Sequence, residues 1–264
     1  MSNKGYAGSD MTEKFKILVV DDEQVILDSA RKLLGSERFR LVTALDAESA
    51  LQILEAEAQD IMISDLVLPG ASGMELLETA CEKDPTLLTV ITTGYSTVEN
   101  AVTSLKKGAF DYLPKPFTYE ELQSCVDRAC RAIALRLTLK ARISVARDRG
   151  SFHLGLQTWA RLEPEGSALM GVTEFHLRTI EPIERIEFPG DDAELQQGGR
   201  LVCLNTTDGM AHNVWSPLGG RVLDCNDRLR DQPEFLREDP SGAGWIVRIL
   251  PFDPKGELAN LIGP

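Results

Sequence analysis

The chain has 264 residues, 43% of them hydrophobic and 26% charged, with a formal net charge of −13, the balance of a globular protein long enough for two modest domains. That acidity argues against a dominant nucleic-acid or anionic-membrane role, because both rest on Lys and Arg neutralising phosphates. No run approaches the roughly 18 consecutive apolar residues of a membrane helix, and residues 1–13 read as a polar, flexible tail without a signal-peptide core, so a cytoplasmic location is expected.

From Lys16 onward, short β-branched runs alternate with amphipathic stretches. Lys16–Val20 is an apolar strand ending in Asp21 and Asp22, and Asp22–Leu34 has helical spacing through Val25, Ile26, Leu27, Ala30, Leu33 and Leu34. A strand at Arg40–Thr43, a helix at Ala47–Ala58, a strand at Ile61–Ser64 and a Pro69-Gly70 turn follow. Next come a helix at Met74–Cys81, a strand at Leu87–Thr92, a helix at Val98–Leu105 closed by Gly108, and a strand at Phe110–Leu113. Thr118 opens a last helix with Glu121 three residues on, the capping-box spacing. This alternation predicts a doubly wound α/β fold with a five-stranded parallel sheet covered on both faces, and a ligand site at the carboxyl ends of the strands.

Asp21, Asp22, Asp65, Thr93 and Lys115 all fall at such ends. Three converging carboxylates repel one another, and a hard cation such as Mg²⁺ relieves the repulsion. Lys115 and Thr93 then supply a positive charge and a hydroxyl for phosphoryl oxygens, and an aspartate can act as nucleophile toward phosphorus. Thr92 faces away from this pocket by strand alternation.

The stretches Ile17–Asp22, Ser64–Gly70, Thr92–Tyr95 and Gly108–Phe117 resemble the response-regulator receiver family, over about residues 14–134. The resemblance implies the flavodoxin-like strand order 2-1-3-4-5. It implies Asp65 as phosphoacceptor and Mg²⁺ on Asp21, Asp22, Asp65 and the backbone carbonyl of Val67. Thr93 and Lys115 would bind the phosphoryl group, Thr93 and Tyr112 would form the switch pair, and Lys115-Pro116 would be cis. The receiver would catalyse only its own phosphorylation and dephosphorylation, so no other enzymatic activity is expected.

Residues 128–149 carry seven Arg and Lys against Asp148 alone, a basic bridge whose helical pattern continues from Thr118 to Arg149. Leu122, Val126, Ala129, Ile133 and Leu137 form an apolar stripe that fits either a homodimer through residues 118–147 or packing onto the chain's own domains; the dimer is the preferred expectation. The linker is placed at residues 135–150.

Residues 151–264 show short strand patterns between Gly, Pro and Asp turns: Ala168–Thr173, Ile183–Phe188, Arg200–Leu204, Gly220–Leu223 and Gly244–Leu250. No nucleophile–base pair, phosphate loop or metal cluster appears, and the five cysteines read as reduced thiols. Trp159–Glu163, Leu169–Phe175, Ile183–Gly190, Trp215–Asn226 and Glu238–Ile249 resemble the glycine cleavage system H protein, a lipoyl-carrier family with an all-β barrel-sandwich fold. In that family a hairpin lysine carries the lipoyl arm; here Gly209 occupies the position, and no lysine lies between Lys140 and Lys255. No lipoate is therefore expected. The hairpin at Asn205–Asn213, with Met210 and His212, is instead a candidate docking contact, and the family's C-terminal tail looks shortened after Leu258.

Together these features point to a response regulator of a phosphorelay. A sensor histidine kinase would phosphorylate Asp65, and the H-like domain, without its hairpin lysine, would bind an unidentified downstream protein. Alternatives are a phosphorylation-regulated lipoyl-type carrier subunit and a DNA-binding transcriptional regulator. No nucleic acid or membrane partner is expected, since no helix-turn-helix pattern accompanies the acidic second domain.

Overall fold

The computed structural model describes residues 14–94, 98–138 and 150–264. The first domain alternates β1 (Phe15–Val20), α1 (Gln24–Leu34), β2 (Phe39–Ala44), α2 (Ala47–Ala56), β3 (Ile61–Asp65), α3 (Gly73–Lys83), β4 (Leu88–Thr93), α4 (Val98–Lys106), β5 (Asp111–Pro114) and α5 (Tyr119–Thr138). The strands form one parallel sheet in the order β2-β1-β3-β4-β5, as the resemblance implies. Its central strands are buried along their whole length, which is why they read as unbroken apolar runs. The Thr118/Glu121 capping box is present in both directions, and Lys115-Pro116 is cis.

A second capping box, Ser72 with Glu75, starts α3 directly under the end of β3. Gly73 makes this approach possible. Its N–H donates to the Leu66 carbonyl at 2.9 Å, and a Cβ there would lie 1.9 Å from the Asp65 carbonyl oxygen.

The second domain contains β6 (Phe152–Leu154), β7 (Thr158–Leu162), β8 (Ala168–Val172), α6 (Glu174–Arg178), β9 (Ile183–Glu187), β10 (Glu194–Leu195), β11 (Arg200–Thr206), β12 (Ala211–Trp215), β13 (Gly220–Cys225), α7 (Arg228–Asp231), α8 (Phe235–Glu238), β14 (Val247–Pro251) and α9 (Pro254–Leu258). Antiparallel pairings build a six-stranded sheet, β10-β13-β14-β8-β7-β6, and a three-stranded sheet, β12-β11-β9. Trp159 is fully buried beside these strands. Its indole N–H donates to the Val172 and Pro240 carbonyls, and Gly171 leaves the space its ring fills. The sequence pattern misses β6, β7, β10 and β12, because they are short or interrupt their apolar pattern with Arg161, His212 and Asn213. Beyond α9, Ile262 pairs antiparallel with His153, tying the end of the domain to its first strand.

The two domains share a continuous apolar cluster. Ala101, Val102 and Leu105 of α4, with Ala109 and Tyr112, join Leu154, Ala160, Met170 and Trp215 of the second domain. On α5, Leu122, Cys125, Val126, Ala129, Cys130 and Ala132 are buried within this chain. For these residues the expected dimer is replaced by the alternative, packing on the chain's own sheet and against β12. The rest of the expected dimer segment, residues 139–147, lies outside the described residues, as do the tail at 1–13 and Tyr95. α5 runs without a break through the expected 134/135 boundary.

At the interface His212 is buried. Its Nδ1 lies 2.7 Å from Ser124 Oγ on α5 and its Nε2 lies 3.2 Å from Thr206 Oγ1 on β11. Burial pushes its pKa down to about 4, with the Arg128 and Arg131 charges adding to the fall and Asp208 and Asp111 opposing it. Burial likewise holds neighbouring His176 well below its usual value, helped by Arg128 and His212.

Two predictions follow from this packing. Gly73→Ala forces α3 off the Asp65 carbonyl and is expected to lose about 1–3 kcal/mol of stability, read as a lower urea midpoint at unchanged slope. For His212 the folded pKa lies below the unfolded value of 6.5, so its contribution is complete above pH 6.5 and is lost as pH falls toward about 4. At about 1.4 kcal/mol per pH unit, the loss is on the order of 3 kcal/mol. Urea titrations across this window should show the fall, and His212→Gln should make it shallower by that amount, leaving the share of His176.

Candidate functional site

The pocket sits where the sheet geometry sends it, at the carboxyl ends of β1, β3, β4 and β5. Asp21 and Asp65 are buried and Asp22 is exposed, and one oxygen from each lies within 4.8 Å of the others. Lys115 Nζ bridges two of the three, donating to Asp21 Oδ2 at 2.6 Å and to Asp65 Oδ2 at 2.5 Å. The other oxygens are held by the chain itself: Asp21 Oδ1 accepts from the Glu23 N–H at 3.0 Å, and Asp65 Oδ1 accepts from the Val67 N–H at 2.9 Å. Burial pulls the Lys115 pKa down, but its bonds to Asp21 and Asp65 and their charges outweigh this and leave it raised, so the amine stays protonated.

The sheet register fixes the remaining groups. Asp65 pairs with Thr92, so Thr93 lies one residue further along β4. Its carbonyl accepts from the Lys115 N–H at 2.8 Å, which joins the ends of β4 and β5. Thr93 is fully buried. Three hard carboxylate oxygens around one opening, with a lysine already spanning two of them, is a donor set that suits a small divalent cation such as Mg²⁺. Among the described residues, Asp21, Asp22 and Asp65 form the one group of this kind.

Tyr112 lies elsewhere. It lies on β5 opposite Ile91 of β4, is buried, and packs edge-to-face on Trp215 of the second domain at 6.2 Å between ring centroids. Burial pushes its phenol up to about 12, and its hydroxyl finds no hydrogen-bond partner among the described residues.

The β11–β12 hairpin turns at Asp208-Gly209, with Gly209 at φ +80 and its N–H bonded to the Thr206 carbonyl at 2.9 Å. Left-handed backbone there suits glycine and would strain a lysine. The expected docking surface on this hairpin is already engaged, by α5 of the same chain. Arg131 contacts Asp208 at 3.5 Å and Glu181 at 3.0 Å, Asn213 Nδ2 donates to Glu121 at 3.3 Å, and His212 meets Ser124.

Sequence reasoning overlooked the group at the centre of this contact. Asp111, on edge strand β5, is 2% exposed and accepts hydrogen bonds from both domains. Arg128 and Cys125 on α5 donate to Oδ2, and Gln157 and Trp215 of the second domain donate to Oδ1. The one signal in the sequence is an aspartate inside the otherwise apolar Phe110–Leu113 run, and it names no partner.

Comparison with known proteins supports both halves. Residues 17–127 match the family model for the response regulator receiver domain, and residues 153–263 match that for the glycine cleavage H-protein. The chain is 36% identical over 106 residues to the probable glycine cleavage system H protein of Aeropyrum pernix, covering 40% of this chain and 72% of that one. It is 33% identical over 132 residues to a putative NtrX-like response regulator of Rickettsia bellii, covering 48% of this chain and 28% of that one. It is 34% identical over 113 residues to the DNA-binding transcriptional regulator NtrC of Escherichia coli, covering 43% of this chain and 24% of that one. The chain thus spans only about a quarter of those two regulators. A receiver-domain crystal structure from Clostridium thermocellum matches 47% of this chain and 98% of its own at 33% identity, with a TM-score of 0.43. No helix among the described residues is long and apolar enough to cross a membrane, and all five cysteines are free. This chain is a member of the response-regulator receiver family over residues 17–127, joined to a domain of the glycine cleavage H-protein family over residues 153–263.

Proposed function

We propose that this two-component response regulator takes a phosphoryl group on Asp65 from a sensor histidine kinase, and that its H-like domain answers by binding another protein. The observation that carries the reading is Lys115 Nζ held at 2.5 Å from Asp65 and 2.6 Å from Asp21, with Asp22 beside them. An Asp65 oxygen attacks the phosphorus of a phosphohistidine. The new P–O bond forms as the P–N bond breaks, and the imidazole leaves with the electron pair. Lys115 follows the charge onto the phosphoryl oxygens, and the Thr93 hydroxyl donates to another of them. Water attack on phosphorus later returns the carboxylate and releases phosphate. Mg²⁺, held by Asp21, Asp22, Asp65 and the Val67 carbonyl, would neutralise phosphoryl charge during transfer. Thr93 and Tyr112 are the groups that report the new charge to the rest of the domain.

The second domain keeps the H-protein fold without an amine on its hairpin, so an amide to lipoate has nothing to form on at Gly209. Cytoplasmic signalling through protein contacts fits an acidic domain better than DNA binding does, because phosphate contacts need a basic face. The NtrC relative's DNA-binding description belongs to a chain of which this one covers 24%.

Acetyl phosphate with Mg²⁺ should add one phosphoryl group to the intact mass, and Asp65→Asn should abolish it. Lys115→Met should slow labelling by about a hundredfold. Labelling that survives Asp65→Asn sinks the assignment. Co-expression with a lipoate ligase should leave the mass unchanged; a lipoyl adduct would restore the carrier reading.

A further inference from the structure

We propose that a cleft between the receiver and the H-like domain binds a small aliphatic polyamine in its ammonium form. The cleft shares no residue with the acidic pocket, so the inference stands apart from the reading of Asp65. It has a volume of about 500 Å³, the size of a small-molecule site. Both domains build it. The receiver contributes Glu99 and Val102 of α4, and the second domain contributes the end of β10, Gly219, Phe252 and α9. Lys106 on α4 joins the two contributions, its Nζ donating to the Ala259 carbonyl at 2.7 Å.

The polar part of the lining is fixed in place before any ligand arrives. Gln197 is 6% exposed and its side chain is fully engaged. Its Nε2 donates to the Pro217 and Glu257 carbonyls at 3.0 and 2.8 Å, and its Oε1 accepts from Asn260 Nδ2 at 3.0 Å. These bonds tie α9 to the end of β10. The Glu257 carboxylate is held as well, with Oε2 accepting from the Gly219 N–H at 2.8 Å. Gly219 leaves room for it, since a Cβ there would lie 2.8 Å from Glu257 Oε1.

The charge of the lining selects the ligand. Its ionisable side chains are two carboxylates, Glu99 from one domain and Glu257 from the other. Burial raises the Glu257 pKa, the Gly219 N–H opposes the rise, and the Asp253 charge adds to it. No cation of the chain therefore compensates this partly desolvated carboxylate, and a ligand ammonium does. The same lining disfavours anions and amino acids, because it offers no Lys, Arg or His to receive a negative group.

The apolar part of the lining accounts for the carbon chain. Val102 and Leu195 are buried and suit methylene groups, while the exposed Phe252 offers a ring to an ammonium. Carboxylates from both domains suit a ligand with at least two nitrogens, which a single amine would leave half matched. A ligand gripped by both domains stabilises their contact. The cleft thus gives the chain a chemical input separate from Asp65.

The test is titration calorimetry on the full-length protein with putrescine and spermidine, with and without Mg²⁺, which competes for the acidic pocket. Each amine should saturate a single site per chain, Mg²⁺ present or not. The diol and the amino acid of putrescine's length should give no saturable heat. Glu257→Gln should weaken binding about tenfold or more, and Glu99→Gln, on the exposed side, about twofold to fivefold. Glu99→Gln carries the test if Glu257→Gln fails to fold. Glu48→Gln, which removes an exposed carboxylate from α2, should leave the affinity unchanged. Absence of saturable binding, equal binding of the diol, or a loss in Glu48→Gln as large as in Glu257→Gln overturns the site, the last by reducing it to general attraction toward an acidic protein. Binding that Mg²⁺ abolishes places the amine on Asp21, Asp22 and Asp65 and overturns it too. None of these outcomes bears on Asp65 as the phosphoacceptor.

Discussion

A carboxylate buried between two domains must take all its solvation from protein donors, and Asp111 does so from both sides at once. Arg128 balances its charge from within the receiver, while Gln157 and Trp215 reach it from the H-like domain. Neither half satisfies the group alone in a dry interface. The apolar cluster around it, from Leu105 to Leu154 and Trp215, supplies contact area that many surfaces could supply. The Asp111 network supplies registration, because only one placement of the second domain brings both donors to one oxygen. It sits on β5, the edge strand of the parallel sheet.

This arrangement changes the meaning of the acidic pocket. Taken alone, Asp21, Asp22, Asp65 and Lys115 form a self-contained cluster of three carboxylates and one ammonium. In the whole chain they stand at one end of a strand whose other end carries the interdomain carboxylate. Asp65 is thus separated from the contact with the second domain by Lys115 and a strand of four residues.

The H-like domain shows the complementary economy. Gly209 occupies the tip of its β11–β12 hairpin, and His212, Asn213 and Asp208 face α5. A hairpin that holds a mobile cofactor must keep its tip free, whereas one that grips a helix must commit its polar groups. The buried histidines belong to the second arrangement. His212 is wedged between Ser124 and Thr206, and a proton there would put a charge beside Arg128.

The receiver fold and its pocket were legible in the sequence because both are local. Unbroken apolar runs mark strands buried on two faces, each functional residue directly follows such a run, and the parallel topology then gathers the strand ends. The capping boxes at Ser72 and Thr118 and the turn at Asp208-Gly209 are likewise written in a few adjacent residues. The absence of a lysine from the second domain's hairpin was legible from the sequence directly. The short strands β6, β7, β10 and β12 were not, because antiparallel pairing with distant partners stabilises them against a weak local pattern. The fate of the α5 stripe was open in the sequence, since an apolar face records the need for burial and not the identity of the cover. Only the tertiary structure decided that Asp111 meets Gln157 and Trp215, 46 and 104 residues further along the chain, because such a contact depends on how two finished domains dock.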